Sequence, residues 1–129
     1  MNAAAEGKAY EPVAFEVSKA RVDAFHRMFG GPPGVPPTLL TAAEFSVFPS
    51  IIGDPDLGLD FSRVVHGSQE YEYRRPLQIG ETLSVEARIA SIRQKGGNGF
   101  LTIEMQMRDS NGAVAATSRS TMIERGSAA

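Results

Sequence analysis

A chain of 129 residues fits one domain and can bury roughly two thirds of its unfolded surface, so a single core suffices. Hydrophobic residues at 42% and charged residues at 22% exclude a disordered or fibrous chain. A net charge of -2 with Lys and Arg scattered singly excludes nucleic acid as a partner, and the lack of cysteine excludes disulfides, thiolate metal ligands and a cysteine nucleophile.

From the N-terminus, Met1 to Glu6 has no positive region ahead of an apolar run. No window approaches the ~20 apolar residues that span a bilayer, so a soluble, cytoplasmic protein with no membrane partner is expected. Residues 1–7 and 126–129 are rich in small side chains with little to bury. They are expected to fray, leaving 8–125 as the domain. Pro12 to Val17 ends in alternation and reads as a strand. Ser18 then caps a helix in which Val22, Phe25, Met28 and Phe29 recur at helical spacing. Gly30-Gly31-Pro32-Pro33-Gly34 stops that helix.

Pro36 and Pro37 suit the entry of a second helix, from Thr38 to Ile52, in which Glu44 is the only charge. A helix apolar on all sides is expected to be wholly buried, with Pro49 kinking or ending it. Gly53 to Asp56 is a turn by composition. Four strands follow. In the first, Val65, Gln69, Tyr71 and Tyr73 are expected on one side, and His66, Glu70, Glu72 and Arg74 on the other. Leu83 to Ile89 alternates cleanly, and its rhythm shifts at Ala90-Ser91-Ile92 as a bulge shifts it. Gly96 to Gly99 supplies a hairpin turn; Leu101, Ile103, Met105 and Met107 then alternate with polar residues. Asp109 to Gly112 turns the chain into a last strand, Val114 to Ile123. This order predicts an α+β domain, a five-stranded antiparallel sheet wrapped around a central apolar helix.

Val35-Pro36-Pro37-Thr38, the run from Leu59 to Tyr73, Arg75-Pro76-Leu77-Gln78-Ile79-Gly80-Glu81-Thr82-Leu83 and the run from Ala116 to Thr121 form a specific set. Together they resemble the N-terminal-type domain of the MaoC-like dehydratase family, over most of the chain from Tyr10 onward. The resemblance implies a single hot-dog domain. It also implies a ligand, an acyl thioester of coenzyme A or acyl carrier protein, and hydration of enoyl or dehydration of 3-hydroxyacyl thioesters without a cofactor. Catalytic domains of the family carry an Asp and a His in a D-x-x-x-x-H arrangement. Here Asp stands at Asp23, Asp54, Asp56, Asp60 and Asp109 and His at His26 and His66, so no Asp precedes a His by five. The stretch between Met28 and Pro36 is also shorter than the family's loop over the acyl site. Family domains of this type that lack the dyad pair with a catalytic hot-dog domain and lend acyl-binding surface. The chain is accordingly expected to be such a subunit, with another hot-dog subunit, a paralogue or a second copy, as its partner.

His66 with Glu70 forms the candidate acid–base pair, weighed against a His66 that only hydrogen-bonds where helix gives way to strand. His26, on a helix face, reads as structural. The N–H groups and positive helix end at Thr38, Leu39 and Leu40 would polarise a thioester carbonyl, or serve as an ordinary cap. Arg74 and Arg75 would meet carrier phosphates, or stand solvated. Phe45, with Phe48, Met105 and Met107, would line an acyl tunnel or fill the core. No metal site is expected. Two alternatives stand beside the subunit reading: a self-sufficient homo-oligomeric hydratase or thioesterase using His66, and an acyl-thioester-binding module without chemistry.

Overall fold

The chain, described over residues 1–126 by a computed structural model, opens with a 3-10 turn over Ala3–Ala5 and then a short strand, β1 (Val13–Glu16). Ser18 Oγ accepts from the Arg21 backbone N–H at 3.2 Å and caps α1 (Lys19–Phe29). Val22 is buried and Phe25 half-buried, whereas Met28 and Phe29 face solvent. The first two turns of α1 therefore pack and the last does not. His26 Nε2 lies 2.8 Å from the Gly34 carbonyl oxygen, within reach of an N–H donor there, which ties the glycine–proline loop to the helix.

The central helical stretch breaks near Pro49, as a kink there predicts, but corrects the expectation of complete burial. It opens as a 3-10 turn over Pro37–Leu39, continues as α2 (Leu40–Phe45) and resumes as α3 (Phe48–Ile52). Pro49 does not end the helix; it sits in the first turn of α3, where a missing N–H costs nothing. The break falls before it because a continuous helix would drive its ring into the carbonyl of Phe45. Nor is the stretch buried all round. Leu40, Ala43, Val47 and Ile51 are at most 1% exposed, but Phe45 is 63% exposed and shares an open stripe with Thr41 and Pro49. Five strands curl around one side of the helix and leave the opposite side uncovered in a single chain.

The sheet comprises β1, β2 (Val64–Tyr73), β3 (Thr82–Lys95), β4 (Asn98–Arg108) and β5 (Val114–Glu124) in the order β1-β3-β4-β5-β2. Every neighbouring pair is antiparallel. This is the α+β arrangement that the element order predicts and the hot-dog architecture that the resemblance implies. Gly96 and Gly97, both at positive φ, close the β3–β4 hairpin, and β3 bulges between Ile89 and Ser91 where its rhythm shifts. Leu83, Val85, Ile89, Leu101, Ile103, Met105 and Met107, none more than 1% exposed, face the helix. Each such side chain contributes about 1.5–3 kcal/mol on burial.

A second bulge, between His66 and Ser68, breaks the expected alternation of β2. A Cβ on Gly67 would stand 2.9 Å from Ile123 Cδ1 and 3.2 Å from the Thr121 carbonyl oxygen, so glycine lets β5 approach there. The extra residue reverses the faces upstream of it. Gln69, Tyr71 and Tyr73 turn toward the helix as expected, but Val65 points outward and His66 inward, with Val64.

The N-terminal residues do not fray. Asn2 N–H donates to the Leu57 carbonyl at 2.8 Å and Gly7 N–H to the Ile89 carbonyl at 2.8 Å. Ala5 is buried, so backbone pairing holds a segment whose side chains offer little. At the C-terminal end, Gly126 N–H donates to Asn98 Oδ1, and 127–129 lie outside the described residues. Asp54 clamps the N-terminal segment further: it sits 2.8 Å from Lys8 Nζ and accepts from Tyr10 Oη at 2.7 Å. The Lys8 ammonium first and the Tyr10 hydroxyl second hold its carboxyl down to about 2. The unfolded value is about 3.9, so the stabilisation is fully present above that pH and is lost as pH falls toward 2. Urea titrations from pH 5 down to pH 2 should show a falling midpoint, and Asp54→Asn should flatten the fall.

Candidate functional site

The one charge of the central helix lies at its centre. Glu44 on α2 is 1% exposed, and a carboxylate withdrawn from water is costly unless hydrogen-bonded. β2 and β5 supply the donors. Gln69 Nε2 at 3.1 Å and Ser118 Oγ at 2.9 Å donate to Oε2, and Tyr71 Oη at 2.5 Å donates to Oε1. Tyr71 Oη also lies 2.7 Å from Thr41 Oγ1, on the open stripe. Burial first, then the bond to Glu44, pushes the Tyr71 phenol well above its ordinary value, so it keeps its proton and donates. Tyr73 donates to the Pro37 carbonyl, and burial, aided by the Glu44 charge, pushes its phenol up to about 12. The two tyrosines fasten the start of the helix to β2.

Two concavities flank this polar centre. Toward α3, a groove of about 430 Å³ runs between helix and sheet, walled by Phe45, Phe48, Ile52, Phe61, His66 and Met122. Phe45 and Phe48 pack tilted, with ring centroids 5.6 Å apart. Toward the helix start, a second groove of about 440 Å³ lies among Pro36, Pro37, Tyr73 and Arg74. The first accepts apolar matter; the second has a cation at its rim.

The structure does not bring the expected acid–base pair together. Because of the Gly67 bulge, His66 lines the apolar groove, its Nε2 2.9 Å from the Ser68 carbonyl oxygen. Glu70 lies on the outer face of the sheet, opposite Arg119, which pairs with Glu104. Leu39 and Leu40 are 5% and 1% exposed, and their N–H groups already donate to the carbonyls of Pro36 and of Pro37 and Thr38. They are core residues of a tight first turn and leave no free N–H groups for a carbonyl; Thr38 alone is exposed. Arg75 is committed to Glu81 at 2.7 Å and Asp109 at 3.3 Å, whereas the Arg74 side chain is 65% exposed and makes only a long contact, 3.9 Å, with the likewise exposed Glu72. Phe45 does line a groove, while Met105 and Met107 are wholly in the core. Glu44, Tyr71, Gln69 and Ser118 escaped the sequence reading; the legible signal was a lone carboxylate inside an apolar run.

A family model described as "FAS1-like, dehydratase domain region" matches residues 4–118. The chain belongs to that family. Relatives of this FAS1-like dehydratase domain include a UPF0336 protein of Saccharopolyspora erythraea, 34% identical over 95% of this chain and 90% of its own length. That alignment spans 140 residues, more than the 129 of this chain, so the relative carries residues absent here. Among solved structures, the C-terminally truncated HadBC (3R-hydroxyacyl-ACP dehydratase) complex of Mycobacterium tuberculosis matches with a TM-score of 0.79. The match covers 92% of this chain and 96% of that one at 16% identity. The (R)-hydratase of A. caviae matches with a TM-score of 0.66, covering 91% and 94% at 16% identity. The chain thus combines membership of a dehydratase-domain family with the hot-dog fold of those hydratases and dehydratases, consistent with the MaoC-like resemblance. No helix among the described residues is long and apolar enough to cross a membrane.

Proposed function

We propose that this chain is the acyl-binding, non-catalytic subunit of a cytoplasmic acyl-thioester hydratase or dehydratase, paired edge to edge with a catalytic hot-dog subunit. The observation that carries the reading is an apolar groove opening beside a free strand edge, with no acid and base facing each other in it. β2 is ten residues long and, among the described residues, pairs only with β5 and ends the sheet. A long unpaired edge invites another strand, and a partner there would also cover the open stripe of the helix. The HadBC neighbour, named as a complex, supports the pairing by fold. In this reading Arg74, held only by a long, solvent-exposed contact with Glu72 at 3.9 Å, turns to a phosphate of the carrier, and Phe45 and Phe48 receive the acyl chain.

Co-expression with a hot-dog paralogue bearing D-x-x-x-x-H is expected to give a stable complex with enoyl-thioester hydratase activity. No complex and no gained turnover would reject the proposal. Alone, the chain should close the β2 edge with a second copy and scatter light as a dimer at micromolar concentration; a monomer would count against edge pairing. A self-sufficient enzyme is favoured by one observation, the His66 imidazole on the groove wall.

A further inference from the structure

Pro37, Thr41, Phe45 and Pro49 stand at i, i+4 spacing and are all exposed, so they form one stripe along the open side of the helix. Pro37 belongs to the groove with Arg74 at its rim, and Phe45 to the apolar groove. Thr41 stands between them in the chain, four residues from each and exposed on the same open side. A thioester lying along the seam, its carrier toward Arg74 and its chain among the phenylalanines, would pass its first carbons over Thr41.

The hydrogen bonds behind Thr41 run in one direction. Glu44 Oε1 only accepts, so the single proton of Tyr71 lies in the 2.5 Å bond to it. The Tyr71 oxygen then has only acceptor capacity left, so the proton in its 2.7 Å contact with Thr41 Oγ1 comes from threonine. Gln69 and Ser118 hold the other carboxylate oxygen, which keeps Glu44 from turning away. Thr41 therefore presents lone pairs, and no proton, to the open seam.

We propose that Thr41 is a specificity-determining residue, an acceptor that favours an acyl thioester carrying a hydroxyl near its thioester end over the same chain without one. The inference rests on the acyl-thioester reading above and adds to it the residue that reads the oxidation level of the chain. A ligand hydroxyl can donate to Thr41; a saturated or unsaturated chain leaves that oxygen without a partner.

The test is calorimetric titration of the purified full chain, in its own assembly, with the two epimers of 3-hydroxyoctanoyl-CoA and with octanoyl-CoA. At least one epimer is expected to bind about 3- to 10-fold tighter than octanoyl-CoA, the range of one net hydrogen bond. Thr41→Val should bring that ratio to near 1 with octanoyl-CoA bound as tightly as before or tighter, because no acceptor is then left unpaired, which separates lost recognition from lost fold. Thr41→Ser should keep the ratio, and Tyr71→Phe, which frees the threonine proton, should lower it. Equal binding by the wild type, or a preference that survives Thr41→Val, overturns the inference alone. Failure of all three esters to bind overturns it together with the acyl-thioester reading.

Discussion

Mixed with trans-2-enoyl-CoA, the isolated chain is expected to produce 3-hydroxyacyl-CoA at no more than a trace rate. A positioned general acid or base contributes about 100- to 10,000-fold each, so lacking both removes on the order of 5 to 10 kcal/mol of transition-state stabilisation. Nothing else in the seam replaces them. Glu44 is buried with both oxygens engaged, the Tyr71 phenol is held protonated, and Glu70 lies across the sheet from His66. His66 remains as a lone imidazole bonded to the Ser68 carbonyl. His66→Ala should consequently leave the activity of a partnered complex within a few-fold. The measurement is the loss of enoyl-thioester absorbance, with and without the catalytic partner. Ready turnover by the isolated wild type, abolished by His66→Ala with the fold intact, would make the chain a self-sufficient enzyme.

Glu44→Ala should cost about 2–4 kcal/mol of stability, a large share of the roughly 5–15 kcal/mol that holds a domain of this size. Removing the carboxylate strands Ser118, which is fully buried, and leaves Gln69 and Tyr71 pointing at a cavity. Part of that cost is offset because a buried charge disappears, which is why the loss stays below the sum of three broken bonds. Glu44→Gln keeps an acceptor for Tyr71 and is expected to lose only about 1 kcal/mol. Glu44→Leu combined with Gln69→Leu, Tyr71→Phe and Ser118→Ala, in which none of the three donors to the carboxylate is left without a partner, should recover most of the loss. Urea midpoints decide the order. A Glu44→Gln loss as large as that of Glu44→Ala would mean that charge, rather than donor satisfaction, holds the helix to the sheet.

The pattern of residues along the chain was enough to determine the strands, the turns and a sheet wrapped around a helix. Alternation in Leu83 to Ile89 and Leu101 to Met107, the Ser18 cap, the Gly96-Gly97 turn and the bulge at Ala90 are local features, each set by neighbours a few residues away. The segments that resemble the MaoC-like family, and the missing Asp/His spacing, were equally legible because they are contiguous runs of sequence. The site was decided by contacts between distant residues. Glu44 finds its partners 25, 27 and 74 residues along the chain, and a lone carboxylate in an apolar run does not reveal which donors will meet it. The bulge at Gly67 depends on how closely Ile123 of β5 approaches. One inserted residue there reverses the face of everything before it, which separated His66 from Glu70 and put the imidazole in the groove. The order of the N-terminal segment rests on backbone bonds to Leu57 and Ile89, to which side-chain composition is blind. The open stripe of the central helix follows from the width of a five-stranded sheet: hydrophobicity made the helix central, and the number of strands available to cover it left Thr41 and Phe45 exposed.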